Sequence, residues 1–281
     1  MRVFISVDME GVAGVATIDQ VVRGGTGYPR AQELITQEAN AAIRGAFAGG
    51  ATDVLVNDSH GTMDNFLHDR LDPGARVVFG APRASCMMQG ITRDDDLALF
   101  IGYHAAAGAD GVLAHTFSSN FTELCINGQA MSEAEVNALY AAAYGVPVGV
   151  VTGDDQICAA ATKAFFGVTT VEIKKTNGFA ATNSLVPSAA RAAIETSVAE
   201  AVVGADALQV QSLPDEFVLD VDFARALGAD YAASVPRSLR LSPRTLRYAA
   251  THVDELFHAV TAWSHLAALA SQQTSAIAVR R

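Results

Sequence analysis

Residues 1–11 have the sequence MRVFISVDMEG, in which a short apolar segment runs directly into two acids. The apolar segment, Val3 to Val7, is typical of a strand in an α/β sheet. Asp8 and Glu10 then stand two positions apart, and in an extended chain such residues project to the same side. Two carboxylates that share one place repel each other unless a proton or a cation lies between them. The stretch therefore predicts a first strand whose end holds a divalent metal.

The segments that follow alternate between helical and strand-like patterns. Ala31 to Ala48 carries apolar residues at helical spacing and stops at Gly49-Gly50. Short apolar segments predict further strands at residues 53–57, 76–79, 97–101, 147–152 and 168–173. Such alternation is typical of parallel sheets whose connections are helices. The predicted fold class is α/β, with a mostly parallel sheet flanked by helices in the N-terminal part of the chain.

The C-terminal part of the sequence has a different pattern. Residues 176–188 are uncharged and largely polar, which predicts a crossing loop. Beyond it the sequence predicts a helix at 189–203, strands at 217–223 and 245–250, and a helix at 253–270. We therefore expect two domains: a metal-binding catalytic α/β domain of residues 1–175, and a smaller C-terminal α+β domain of residues 176–281.

Charge and cysteine content argue against several classes of protein. Thirty acids against 19 Lys and Arg give a net charge of −11, which disfavours binding to nucleic acid or to anionic lipid. The longest uncharged stretch, residues 136–153, contains glycine and proline and does not predict a membrane span. The three cysteines, at positions 86, 125 and 158, have neither disulfide-framework nor zinc-thiolate spacing.

Two expectations about the environment of the protein follow from composition and from the N-terminal segment. The first acid comes too early for the apolar part of a signal peptide, so we expect a cytoplasmic protein. Half of the residues are apolar and only 17% are charged, which predicts apolar surface that a homo-oligomer would cover.

Further potential metal ligands stand just past the ends of other predicted strands. His60 follows the second strand and His104 the fourth, at the sheet edge where open α/β proteins bind ligands. Glu133 lies in the first turn of the helix that follows an Asn-Gly hairpin signal. With Asp8 and Glu10 these residues form a mixed imidazole and carboxylate set, which suits Zn²⁺, with Mn²⁺ or Co²⁺ as alternatives. Five protein ligands exceed what one catalytic zinc needs, so two ions that share a carboxylate are expected.

Four motifs carry a resemblance to a known family: SVDMEG at 6–11, VNDSH at 56–60, GYH at 102–104 and GDD at 153–155. They resemble the motifs of the zinc-dependent D-aminopeptidases of the DppA type. The resemblance implies two zinc ions bridged by Asp8, with Glu10 and His60 on one ion and His104 and Glu133 on the other. It also implies a catalytic role for His115, hydrolysis of short peptides that begin with a D-residue, and a ring-like homo-oligomer such as a decameric ring.

The expected chemistry is metal-assisted amide hydrolysis, in which His115 transfers a proton or stabilises the oxyanion. Two alternatives use the same residues. Another dinuclear hydrolase of amides or esters would share the ligands and differ in its pocket, whereas a non-enzymatic metal or small-molecule binding module would need no general base. Residue types leave open the choice between D- and L-substrates, which depends on the shape of the pocket.

Overall fold

The computed structural model describes residues 1–279, which form two compact units. The first unit consists of Met1–Ala105, Asp110–Ala114 and Ala134–Leu213. The second consists of Ala106–Ala109, His115–Glu133 and the chain from Pro214 onward.

Short strands and longer helices follow one another along the chain. The strands are β1 (Arg2–Val7), β2 (Asp53–Asp58), β3 (Arg76–Val78), β4 (Leu97–Tyr103), β5 (Phe121–Ile126), β6 (Gln129–Ala130), β7 (Val148–Asp154), β8 (Thr169–Gly178), β9 (Ala181–Ser184), β10 (Phe217–Phe223), β11 (Leu239–Arg240) and β12 (Thr245–Ala250). The α-helices are α1 (Ile18–Val21), α2 (Tyr28–Ala48), α3 (Glu133–Ala143), α4 (Asp155–Ala164), α5 (Pro187–Val203), α6 (Ala226–Ala232) and α7 (Val253–Val279). Within residues 1–279, no helix is both long enough and apolar enough to cross a membrane.

The first unit is built on a seven-stranded sheet with the order β3-β2-β1-β4-β7-β8-β9. All neighbouring strands are parallel except β8 and β9, which are antiparallel. β1 lies between β2 and β4, and its residues from Val3 to Val7 are fully buried. The predicted α/β fold class is confirmed, and β1 lies in the middle of the sheet because an apolar strand of this kind is stable only when both of its faces are covered.

The second unit is built on a five-stranded antiparallel sheet with the order β11-β12-β10-β5-β6. Asn127 and Gly128 connect β5 to β6 with positive φ angles of 52° and 79°, so the predicted hairpin is confirmed. The fully buried Trp263 of α7 packs against the rings of Phe223 and Tyr248 on one face of this sheet.

The prediction of a loop at 176–188 is wrong. β8 continues to Gly178, and β9 pairs with it as the antiparallel edge of the first sheet. The segment is polar because an edge strand exposes much of its surface to solvent, so polarity did not indicate a loop in this part of the chain.

The two units also differ from the domains expected at 1–175 and 176–281. The first unit extends to Leu213, because β8 and β9 belong to its sheet and α5 packs against α2. The hairpin of β5 and β6 belongs to the second unit, because β5 pairs with β10 almost a hundred residues later.

Two oppositely charged side chains are buried in the first unit. Glu38 of α2 is 1% exposed, and its carboxylate accepts a hydrogen bond of 2.8 Å from the backbone N–H of Ala13. Burial raises the pKa of Glu38 to about 7, against the lowering effects of that hydrogen bond and of Lys174. Burial also lowers the pKa of the Lys174 ammonium to about 8, an effect that Glu38 partly offsets. The first unit therefore tolerates ionised groups in its interior at a cost that depends on pH.

Replacing Glu38 by glutamine should change the stability of the protein in a pH-dependent way. The folded-state pKa of about 7 lies above the ordinary value of 4.5, so the contribution of Glu38 is fully present below pH 4.5 and is lost as the pH rises through 7. Glu38→Gln cannot ionise, so between pH 5 and pH 8 it should gain on the order of 3 kcal/mol relative to the wild type. Urea unfolding at both pH values measures this, with the exposed Glu200→Gln of α5 as the control. A stability difference that stays constant with pH would contradict the expectation.

Candidate metal centre

Four of the predicted ligands meet in the first unit, at the carboxyl edge of its sheet. Asp8 and Glu10 follow β1, while His60 and His104 follow the neighbouring strands β2 and β4. The Nδ1 atom of His60 lies 3.2 Å from Oδ1 of Asp8 and 2.9 Å from Oε2 of Glu10. The Nε2 atom of His104 lies 3.3 Å from the other oxygen of Asp8, Oδ2. The two oxygens of the Asp8 carboxylate thus face two different imidazoles.

All four side chains are buried, so the charges of the two acids must be offset inside the protein. Burial raises the pKa of Asp8, and the neighbouring Glu10 carboxylate raises it further. Burial alone would lower the pKa of His60, but Glu10 and Asp8 outweigh it and hold that pKa well above its ordinary value. A proton on the imidazole therefore offsets part of the negative charge, in a place that a divalent cation can take.

The donor set fits a metal ion such as zinc. Asp8, Glu10 and His104 offer ligand atoms that lie within 4.8 Å of one another. The rear nitrogen of each histidine is bonded to a backbone carbonyl: His60 Nε2 donates to Val21 at 2.7 Å, and His104 Nδ1 donates to Ala105 at 3.0 Å. Such hydrogen bonds fix the ring and leave the opposite nitrogen available, as in most metal-ligating histidines.

Two glycines allow the ends of β1 and β4 to approach this closely. A Cβ on Gly11 would lie 2.1 Å from the carbonyl oxygen of Tyr103, and a Cβ on Gly102 would lie 2.3 Å from that of Asp8. Gly102 also has a φ of +71°, which favours glycine. The N–H of Gly11 donates to the carbonyl of Gly102 at 2.7 Å, so the backbone after Asp8 is bonded directly to the strand that leads to His104.

The other two predicted site residues lie together in the second unit. His115 Nε2 is 3.7 Å from Oε1 of Glu133, which also accepts a hydrogen bond of 2.6 Å from the N–H of Phe117. Glu133 is buried and is the first residue of α3, as its predicted place in the first helical turn required. A quarter of the His115 side chain is exposed, so a solute can reach its ring. His115 and Glu133 thus lie close enough to interact within the second unit.

A buried hydrogen-bond network, which the sequence patterns did not predict, supports the ligands of the first unit. Ser6 Oγ lies 2.6 Å from Ser59 Oγ and 2.7 Å from Tyr103 Oη. Asn137 of α3 donates to the same Tyr103 hydroxyl at 2.9 Å. Since Ser59 directly precedes His60 and Tyr103 directly precedes His104, the network bonds the ends of three strands together. A signal was present, because these polar residues interrupt otherwise apolar strand ends.

Lys174 also lies near the site and was not predicted from the sequence. Its ammonium donates a hydrogen bond of 2.5 Å to the backbone carbonyl of Glu10. The available signal was a lysine directly after the apolar run 168–173, at a point where the strand was predicted to end. In the structure β8 continues through this residue, which is buried.

Comparison with known proteins gives one consistent result. A family model described as D-aminopeptidase matches residues 1–262. A D-aminopeptidase of Bacillus subtilis strain 168 is 33% identical over 268 residues, which cover 95% of this chain and 98% of that protein. The solved structure of the Zn-dependent D-aminopeptidase DppA from Bacillus subtilis, described as a self-compartmentalizing protease, matches with a TM-score of 0.92 at 33% identity. That match covers 95% of this chain and 98% of the other.

Removing the Tyr103 hydroxyl should destabilise the protein. Tyr103→Phe keeps the ring and its stacking on Phe100, but Ser6 and Asn137 each lose a buried hydrogen-bond partner. Loss of partners for buried polar groups costs about 1–3 kcal/mol, and urea unfolding measures it. Tyr231→Phe removes an exposed hydroxyl bonded to Gln273 and should change stability far less. Equal losses of unfolding free energy for the two substitutions would show that the buried Tyr103 hydroxyl stabilises the protein no more than an exposed hydroxyl does.

Proposed function

This chain belongs to the D-aminopeptidase family, and from that premise we propose that it removes the N-terminal D-residue from short peptides at a site for two zinc ions. In the proposed site Asp8 would be shared by the two ions, Glu10 and His60 would hold one of them, and His104 and Glu133 would hold the other. The observation that carries the proposal is the Asp8 carboxylate, whose two oxygens face His60 and His104 separately. A carboxylate placed in this way suits the sharing of two cations.

Divalent zinc, when bound, supplies Lewis acidity toward the scissile carbonyl and lowers the pKa of water to near neutrality. The residues of the chain supply the negative charge and the fixed ligand directions that this chemistry requires. Asp8 and Glu10 provide the negative charge that holds cations in a buried place. The hydrogen bonds from His60 to Val21 and from His104 to Ala105 fix the directions of the two imidazoles, so that little reorganisation is needed when a metal binds.

His115 is the proposed catalytic residue. Its imidazole lies within ion-pair distance of Glu133 and is partly exposed, so a nearby carboxylate can orient a ring that substrate can reach. The proposed role is to transfer a proton to the leaving amine or to donate a hydrogen bond to the oxyanion. His115 is not needed as a ligand, because five other residues supply the ligand set.

The proposed substrate and assembly take their support from the relatives. The Bacillus subtilis relative is named a D-aminopeptidase, and its family model matches nearly the whole of this chain. The solved relative is described as Zn-dependent and self-compartmentalizing. We extend these properties to this chain as a homo-oligomer, of which a decameric ring is the form suggested by the sequence resemblance, that encloses its sites and admits short peptides.

The direct test of the proposed function is the release of free alanine from matched D-Ala and L-Ala amides and dipeptides by the zinc-loaded protein. We expect D-Ala to be released faster than L-Ala and phosphoesters to remain intact. Hydrolysis of phosphoesters alone would indicate another dinuclear hydrolase, and inertness toward every compound would indicate a binding module. Either result would reject the proposal.

We expect close to two zinc ions per chain after saturation and desalting, as measured by atomic absorption. Asp8→Ala should lose both ions, because this residue serves both, whereas His104→Ala should lose only one. Asp94→Ala, which removes an acid whose side chain is 78% exposed, is the control and should keep both. Saturated wild-type protein with a single ion, or Asp8→Ala protein with two, would rule out the bridged site.

His115→Ala should keep its zinc and its fold but turn over slowly. A positioned general acid or base contributes about 10²- to 10⁴-fold to the rate, so kcat should fall within that range while KM changes little. His258→Ala, at an exposed position of α7, is the matched control and should retain wild-type kcat. Near-normal kcat for His115→Ala would make the residue structural, and loss of a zinc ion would make it a ligand.

A further inference from the structure

Lys174 is a buried cation directly behind the segment that carries Glu10. Lys174 is 2% exposed, and its Nζ atom donates hydrogen bonds to the backbone carbonyls of Glu10, Val12 and Val15 at 2.5, 3.0 and 2.6 Å. An ammonium has three N–H donors, so these three carbonyls satisfy it fully. All of its hydrogen-bonding capacity is therefore directed at the backbone of one short loop, residues 10–15.

The loop is held from several directions. Ala13 donates its N–H to the Glu38 carboxylate, and Gly11 donates its N–H to Gly102. Three carbonyl oxygens that converge on one point repel one another, and the Lys174 ammonium is the positive charge that makes their convergence favourable. Without it the mutual repulsion of the three carbonyls opposes this curvature.

The curvature of the loop determines where the Glu10 side chain points. The carbonyl of Glu10 is bonded to Lys174 on one side, and its carboxylate lies 2.9 Å from His60 Nδ1 on the other. We propose that Lys174 is a positioning residue of the metal centre, which fixes the backbone of Glu10 and thereby aims its carboxylate at the ion shared with His60. This inference rests on the proposed function, because it requires that Glu10 binds a metal.

Substitutions at position 174 can separate the geometry of the ammonium from its charge. Lys174→Met keeps a long side chain and removes both charge and donors. Lys174→Arg keeps the charge, but a planar guanidinium cannot direct three N–H groups from a single nitrogen at three converging carbonyls. If the geometry of the ammonium positions Glu10, both variants should bind the ion of Glu10 and His60 more weakly than the wild type does.

The neighbouring lysine offers a matched control. The Lys175 side chain is 66% exposed and lies 3.8 Å from Glu172 in a surface ion pair. Lys175→Met removes the same charge from the same strand, one residue away, without touching the loop. It accounts for any general effect of lost charge on the affinity for a cation.

The experiment is a titration of the metal-free full-length chain with zinc alone, in competition with a chromophoric chelator. In wild-type protein we expect two affinities. Lys174→Met and Lys174→Arg should weaken one of them by about 10- to 100-fold, the usual effect of residues that orient a metal ligand, and leave the other unchanged. Lys175→Met should leave both unchanged. If Lys174 had a purely structural role, its substitution would instead lower the midpoint of thermal unfolding and weaken the binding of both ions equally.

Several outcomes overturn the inference. It fails if folded Lys174→Met protein binds both ions within twofold of the wild type, or loses affinity for both equally. Should Lys174→Met fail to fold, the double variant Lys174→Met with Glu38→Gln removes both buried charges, and the same criteria apply to it. If circular dichroism shows that neither Lys174→Met nor the double variant folds, Lys174 is needed for folding itself and the positioning role is rejected.

The wild-type titration tests the proposed function separately. If the wild type binds a single zinc ion, the dinuclear proposal fails, and the Lys174 variants are then judged by their affinity for that one ion. If the wild type binds none, both proposals fail. If the wild type binds two and the variants behave as the wild type does, only the inference about Lys174 fails.

Discussion

The repulsion between the buried carboxylates of Asp8 and Glu10 is the constraint on which the rest of the site depends. Both lie at the end of the central strand β1, where little water can screen their charges. Two such groups remain together only if positive charge accompanies them. His60 and His104 provide places for a proton or a metal ion on either side of Asp8. The architecture of the first unit serves to keep these charges in one place.

The backbone around the site is organised to the same end. Gly11 and Gly102 let the chain after β1 lie against the end of β4, and the hydroxyl network of Ser6, Ser59 and Tyr103 bonds the strand ends to one another. Lys174 gathers three carbonyls of the loop that carries Glu10. Most of these contacts involve the backbone, so the directions of the ligands are determined by the fold and depend little on side-chain freedom. Such preorganisation is what a catalytic metal site requires.

Much of the fold was predictable from the sequence, and the reason is local. Apolar strands that end in polar residues mark the carboxyl edge of a parallel sheet, so the places of Asp8, His60 and His104 followed from the pattern of each segment. The pairing of β5 with β10 was not predictable, because no local pattern links segments so far apart. β9 was not predicted as a strand because its residues are polar, as those of an edge strand commonly are. Lys174 was missed because the burial of a lysine depends on three carbonyls from another segment, and a strand pattern carries no information about them.

The proposed position of Asp8 between two ions can be tested in a crystal. Anomalous diffraction at the zinc absorption edge from crystals of the zinc-loaded protein tests it most directly, because each ion gives its own peak. We expect two peaks, one beside each oxygen of the Asp8 carboxylate, with Glu10 and His60 around one and His104 and Glu133 around the other. A single peak, or two peaks of which only one contacts Asp8, would contradict it.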